Sequence, residues 1–203
     1  MKILILADEE SPALWEHYTP DRLRDIDLIL SCGDLKSQYL RFLVTMARCP
    51  LLYVHGNHDG HYQQDPPEGC ICIDDRIVVH NGIRILGLGG CRKYREGPHQ
   101  YTDEEMRRRI RRLRWQLLRH GGVDIVVTHA PPEGIGDGDD PAHLGFAALR
   151  ELLDQYKPRY LFHGHVHLRY LQDRTRERYY RGTAVINASE RYILDFCPET
   201  AEV

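Results

Sequence analysis

The 203-residue chain has no apolar run approaching the roughly 18 residues of a membrane span, no C-x-x-C pair, no internal repeat and no low-complexity segment. It also lacks an excess of either charge: 27 basic and 30 acidic side chains leave −3. That balance argues against a general nucleic-acid binder, though a local basic patch remains compatible with it. The apolar start, Ile3 to Ala7, is too short for a signal peptide's core and meets Asp8 at once, so a cytoplasmic protein is expected. The six cysteines, at 32, 49, 70, 72, 91 and 197, do not pair at zinc-knuckle spacing and read as reduced, small apolar fillers. What is abundant is histidine, with twelve copies, several in short glycine-bearing clusters.

Three short apolar runs open the chain, Lys2–Ala7, Ile26–Ser31 and Leu51–Val54. Each reads as a buried strand, and each is followed by polar residues: Asp8, Gly33-Asp34 and Gly56-Asn57-His58-Asp59. A helix is expected at Ser37–Arg48, with Leu40, Leu43, Val44 and Ala47 on one face. Ile77–His80 and Ile83–Leu88 flank Asn81-Gly82, the strongest short hairpin signal, and a polar loop follows to Tyr101. Thr102-x-x-Glu105 is a capping box for a helix that Gly121-Gly122 stops. Val123–Thr128 is a strand ending at His129, Ala142–Tyr156 a helix, and Arg159–Phe162 a strand ending at His163-Gly164-His165-Val166-His167. The tail, at Leu168–Gln172, Tyr179–Tyr180, Ala184–Asn187 and Tyr192–Phe196, looks like β-hairpins. One domain over residues 1–203 is expected, an α/β fold of two face-to-face sheets with helices outside.

The chemistry-bearing residues therefore fall at five strand ends: Asp8, Asp34, Asn57 with His58, His129, and His165 with His167. In α/β sheets the carboxyl edge of the strands is where ligands bind. Carboxylate, amide and imidazole together suit Mn²⁺, Fe or Zn²⁺ better than Ca²⁺ or a thiolate site. A lone histidine after a strand is ordinary surface; five clusters, one per strand end, are not.

In this order the residues resemble the calcineurin-like metallophosphoesterases, whose pattern is D-x-H, G-D, G-N-H-[DE], H, G-H-x-H. Here it stands as Asp8-Glu9-Glu10, Gly33-Asp34, Gly56-Asn57-His58-Asp59, His129 and Gly164-His165-Val166-His167. The segments 89–102 and 128–143 further resemble small bacterial phosphoesterases of that family. The resemblance implies a four-layer αββα sandwich, two mixed β-sheets flanked by helices. It implies a phosphoesterase carrying two divalent transition-metal ions, with Asp34 bridging them. Asp8 and His167 would complete one site, and Asn57, His129 and His165 the other. His58 would meet the substrate as acid or charge stabiliser. Two ions about 3.5–4 Å apart polarise a phosphoryl group and yield a bridging hydroxide that attacks phosphorus.

One position departs from the pattern: Glu10 stands where the family has a histidine. If residues 8 and 10 share a face of an extended strand end, Glu10 ligates through oxygen and Mn²⁺ is favoured over Zn²⁺. Asp59 is read as a neighbour that orients a histidine, and Arg92 as a phosphate fork weighed evenly against a surface arginine. His163 is read as packing, and the loop of Asp137, Asp140 and His143 as solvated rather than as a pocket rim. Arginines 107, 108, 109, 111, 112, 114 and 119 share one helix, whose buried stripe is Met106, Ile110, Leu113 and Leu117, and Trp115 falls among them. A solvated, acid-paired face is the favoured reading there over a nucleic-acid surface. The substrate is expected to be a phosphate ester, a diester before a monoester, because the small family members that the chain resembles often act on phosphodiesters. The alternatives are a non-catalytic metal-binding scaffold of the same fold, or a nuclease. The retromer subunit that resembles the family lacks the G-N-H histidine, and His58 is present here. No membrane partner is expected.

Overall fold

Alternation along the strands divides the interior into three apolar layers. A computed structural model of the protein describes residues 1–168 and 175–197. Strands β1 (Lys2–Ala7), β2 (Leu28–Ser31), β3 (Leu51–Tyr53) and β4 (Ile71–Cys72) run parallel in one sheet, with helix α1 (Ser37–Ala47) crossing between β2 and β3. The second sheet begins with the hairpin β5 (Arg76–His80) and β6 (Ile83–Leu88). A small parallel ladder, β7 (Cys91–Arg92) with β8 (Gln100–Tyr101), follows where a plain loop was expected. Then come α2 (Asp103–Arg112), α3 (Arg114–Arg119), β9 (Ile125–Thr128), α4 (Ala147–Tyr156), β10 (Tyr160–His163), β11 (Glu177–Tyr180), β12 (Thr183–Asn187) and β13 (Glu190–Asp195). The sheet orders are β13-β1-β2-β3-β4 and β11-β12-β10-β9-β6-β5.

Successive side chains of a strand point to opposite faces. Ile3, Ile5 and Ala7 of β1 meet Ile85, Ile125, Val127, Phe162 and Ile186 of the other sheet in the central layer. Leu4 and Leu6 pack outward with Leu40, Leu43 and Ala47 of α1. On the far side Leu86, Val126, Leu161 and Val185 pack with Met106, Leu117, Leu149 and Leu152 from the remaining helices. The arrangement is the expected four-layer αββα sandwich.

Three local expectations are corrected. Helix α4 starts at Ala147, not Ala142, because Phe146 pairs through its own N–H and C=O with Pro131 and Glu133 and holds extended backbone. The tail is not a run of hairpins. β11 and β12 form one, but β12 then pairs parallel with β10, and β13 crosses to the other sheet to pair antiparallel with β1. The expected strand over 168–172 falls almost wholly outside the described residues. The arginine helix is broken at Leu113 into α2 and α3, where an i→i+3 bond to Ile110 tightens the turn.

Arg109, expected on a solvated face, is buried. Its guanidinium donates to Asp75 at 2.8 Å and to the Gly89 carbonyl at 2.7 Å, and lies 4.3 Å from the Tyr101 ring centre. Arg107, Arg108 and Arg111 do pair with acids on or beside the helix, as expected. Arg109→Ala is expected to lower stability by about 1–3 kcal/mol, the cost of an orphaned buried carbonyl, since the half-exposed Asp75 can rehydrate. Urea unfolding measures it.

Candidate metal centre

The parallel strands of both sheets end at the same edge, which gathers the chemistry the sequence had spread over 160 residues. Asp8, Asp34 and His165 all have left-handed backbone, with φ of 65°, 58° and 68°. Asp and His tolerate that region better than most residues, and strained positions of this kind cluster at functional sites. Close approach leaves no space for side chains around them. A Cβ on Gly56 would lie 2.0 Å from Asp34 Oδ1, and one on Gly164 would lie 2.8 Å from Asp8 Oδ1.

Asp34, His129 and His165 bring ligand atoms within 4.8 Å of one another. His129 is fully buried, and its Nδ1 donates to the Cys32 carbonyl at 2.8 Å. That bond leaves the Nε2 lone pair facing Asn57 Oδ1 at 3.0 Å and Asp34 Oδ2 at 3.3 Å. Three electron-rich atoms thus converge on one point, an arrangement that demands a proton or a cation between them. The protonation equilibria report the same need. Burial pushes the Asp8 carboxyl up to about 6, against the pull of the His129 charge. Burial also disfavours charge on His129, yet Asp34 and Asp8 raise it to about 9. Asp34 is held well below the usual carboxylate range: burial works against it, and the His129 charge prevails. His165 is lowered to about 3 by burial and by His129. Asp8 Oδ2 and Asn57 Nδ2 are buried with no hydrogen-bond partner. Two carboxylates, one with an orphaned oxygen, beside the imidazoles of His129 and His165 fit divalent cations, whose charge would replace the proton on His129.

The remaining predicted residues are arranged around this cluster. His165 Nε2 donates to the Ala142 carbonyl at 2.6 Å, which fixes its tautomer, and its backbone N–H donates to Asp8 Oδ1 at 2.8 Å. His58 is exposed, with its backbone N–H on Asp34 Oδ1 at 2.8 Å and Nε2 4.0 Å from Asp34 Oδ2. Asp59 is buried and accepts from the backbone N–H groups of Gly56 and Asp34, at 2.7 and 2.8 Å. It therefore orients two loops, not a histidine. Arg92 lies apart: its guanidinium faces the Gly145 carbonyl and Glu133. His163 is buried against the Gly164 carbonyl, as its packing role required.

Residues 8 and 10 do not share a strand face, because the left-handed Asp8 ends the extended backbone. Glu10 lies against Lys36, 3.4 Å from Nζ, while Glu9 Oε1 meets His167 Nδ1 at 2.7 Å. That bond makes Nε2 the basic nitrogen of His167. Glu9→Gln is expected to weaken metal binding about 10–100-fold, the usual cost of losing a ligand's orienting partner, while Glu10→Ala keeps wild-type metal. Metal per chain and metal titrations of the two variants check this.

The cluster opens into a cavity of about 530 Å³ lined by Asp34, Asn57, His58, Tyr94, Asp140, Ala142, His143, His165 and His167. Asp140 and His143 thus rim the pocket, contrary to the solvated-loop expectation; their carboxylate and ring are 2.7 Å apart. Tyr94 carried no sequence signal. The i,i+3 spacing of Asp140 and His143 did carry one.

Residues 7–169 match the family described as calcineurin-like phosphoesterase. The chain belongs to that family. Among curated relatives, the lariat debranching enzyme of Drosophila melanogaster is 30% identical over 201 residues, covering 71% of this chain and 38% of the relative. The lariat debranching enzyme of Homo sapiens is 24% identical over 202 residues, with 71% and 37% covered. The chain therefore spans under two-fifths of the length of these relatives. Among solved structures, a protein of Thermus thermophilus, TT1561, shares the fold at a TM-score of 0.60 and 16% identity, over 93% of this chain and 89% of that one. The calcineurin-like motifs lie on the strand ends described above. No helix among the described residues is long and apolar enough to cross a membrane.

Proposed function

We propose that the chain hydrolyses a phosphate ester, a diester in preference to a monoester, at a centre of two divalent ions. The observation that carries this reading is the convergence of Asp34, Asn57, His129 and His165 beneath an open cavity, with the orphaned Asp8 Oδ2 behind them. Asp34 would be shared. Asp8 and His167 would serve one ion; Asn57, His129 and His165 would serve the other. When bound, the ions supply Lewis-acid charge to phosphoryl oxygens and lower the pKa of water. Oxygen and imidazole donors without thiolate suit Mn²⁺, Fe or Zn²⁺.

The chain's own residues do the rest. Asp59 holds the Asp34 and Gly56 backbones in place, and the Ala142 carbonyl fixes the His165 ring. His58, exposed at the cavity edge, would give a proton to the leaving oxygen. The lining contains no lysine or arginine among the described residues, and Arg92 is turned to Glu133. A monoester dianion would need extra cationic partners that a diester monoanion does not, which supports the diester.

Purified protein loaded with Mn²⁺ should cleave bis(4-nitrophenyl) phosphate with a higher kcat/KM than 4-nitrophenyl phosphate. A branched RNA belongs in the panel because the relatives are named for lariat debranching. Faster monoester turnover would refute the diester preference, and no turnover of any ester would favour the scaffold reading.

A further inference from the structure

A second group of ligating side chains lies outside the cavity. His55, Asp74 and His99 each present a ligand atom, and these atoms lie within 4.8 Å of one another. None of the three lines the catalytic cavity. They come from three separate segments: His55 follows β3, Asp74 follows β4, and His99 precedes β8. His55 Nδ1 is 2.7 Å from Asp74 Oδ2, and the two imidazole rings stack 4.4 Å apart at 10°. Cys72 Sγ is a further donor, 3.8 Å from His55 Nδ1.

The backbone around the three is held by hydrogen bonds that do not use the ligating edge. Gly89 N–H donates to the other Asp74 oxygen at 2.9 Å, Gly90 N–H to the His55 carbonyl at 2.7 Å, and Cys91 N–H to the His99 carbonyl at 3.0 Å. Gly89 must be glycine for this approach, since a Cβ there would lie 2.4 Å from Asp74 Oδ1 and 2.6 Å from the His55 carbonyl oxygen. The donors are partly shielded but reachable, with the His55 and Asp74 side chains 18% and 20% exposed.

We propose that His55, Asp74 and His99 bind a Zn²⁺ ion, at a site separate from the catalytic centre, that clamps the segment after β3 to the loop between β7 and β8. Two imidazoles and a carboxylate are a zinc donor set, and turning the His99 ring out of the stack would let in-plane lone pairs of both rings meet one ion at about 2.0–2.2 Å. The nearby thiol adds soft character that the catalytic centre lacks. The consequence for the enzyme is positional. His55 immediately precedes Gly56-Asn57-His58, so the ion stiffens the approach to that segment.

Zinc content and thermal unfolding test this without any activity reading. Zn²⁺-loaded protein, dialysed against metal-free buffer, is expected to hold one tight ion that Asp34→Asn does not remove. Asp34→Asn/His99→Asn should lose that ion, along with the rise in Tm that Zn²⁺ produces in Asp34→Asn protein. Asparagine is chosen because His99 has φ of 50°, which Asn tolerates. Asp74→Asn is the second variant, because its amide oxygen still accepts from Gly89, and it should behave alike. The proposal is overturned if folded His99→Asn and Asp74→Asn proteins hold as much zinc as their parent, or if Asp34→Asn protein holds none. Failure of every ester substrate would sink the proposed function and leave this zinc count untouched.

Discussion

Asp34→Asn protein should purify folded but lose metal from both catalytic positions and nearly all activity. The carboxylate faces His129 through Oδ2 and holds the His58 backbone N–H through Oδ1. An amide keeps the second contact and removes the charge. The buried cluster then has Asp8 as its remaining carboxylate, and the attraction that offsets desolvation of two divalent ions is lost. The rate should fall by more than the roughly 10²–10³-fold that loss of one charge-stabilising donor costs an enzyme. Elemental analysis and initial rates at increasing Mn²⁺ measure both effects. A variant with two catalytic ions per chain would remove Asp34 from the shared position.

His58→Ala should separate binding from chemistry. The side chain is 65% exposed and its Nε2 stands 4.0 Å from Asp34 Oδ2, so metal content should stay at the wild-type level. Activity should drop about 10²–10⁴-fold, the range for a positioned proton donor. The loss should be large for alkyl leaving groups and small for nitrophenolate, which needs little protonation. Equal losses on the two classes would leave His58 a charge stabiliser without an acid role.

Much of the centre was legible because each ligand type closes a local apolar run. A strand ending in Asp8, Asp34, Asn57-His58, His129 or His165 is visible in a few residues, and parallel strands put their ends on one edge. The capping box at Thr102 and Glu105 was legible for the same reason, since its two bonds span three residues.

What stayed hidden depends on where side chains point once distant segments meet. The choice between Glu9 and Glu10 turns on the left-handed Asp8, and nothing in an acidic triplet announces a positive φ. Asp59 binds backbone donors of two loops, and Arg109 reaches Asp75 and the Gly89 carbonyl. These contacts have no periodic trace. The passage of the chain from β12 in one sheet to β13 in the other likewise follows from edge pairing with β1, not from the composition of either strand. The trio of His55, Asp74 and His99 exists only because three loops converge. Local periodicity alone determined the layers and the ligand-bearing strand ends of this protein. The tertiary structure decided which carboxylate faces which imidazole, because that geometry is set by contacts between segments far apart in the chain.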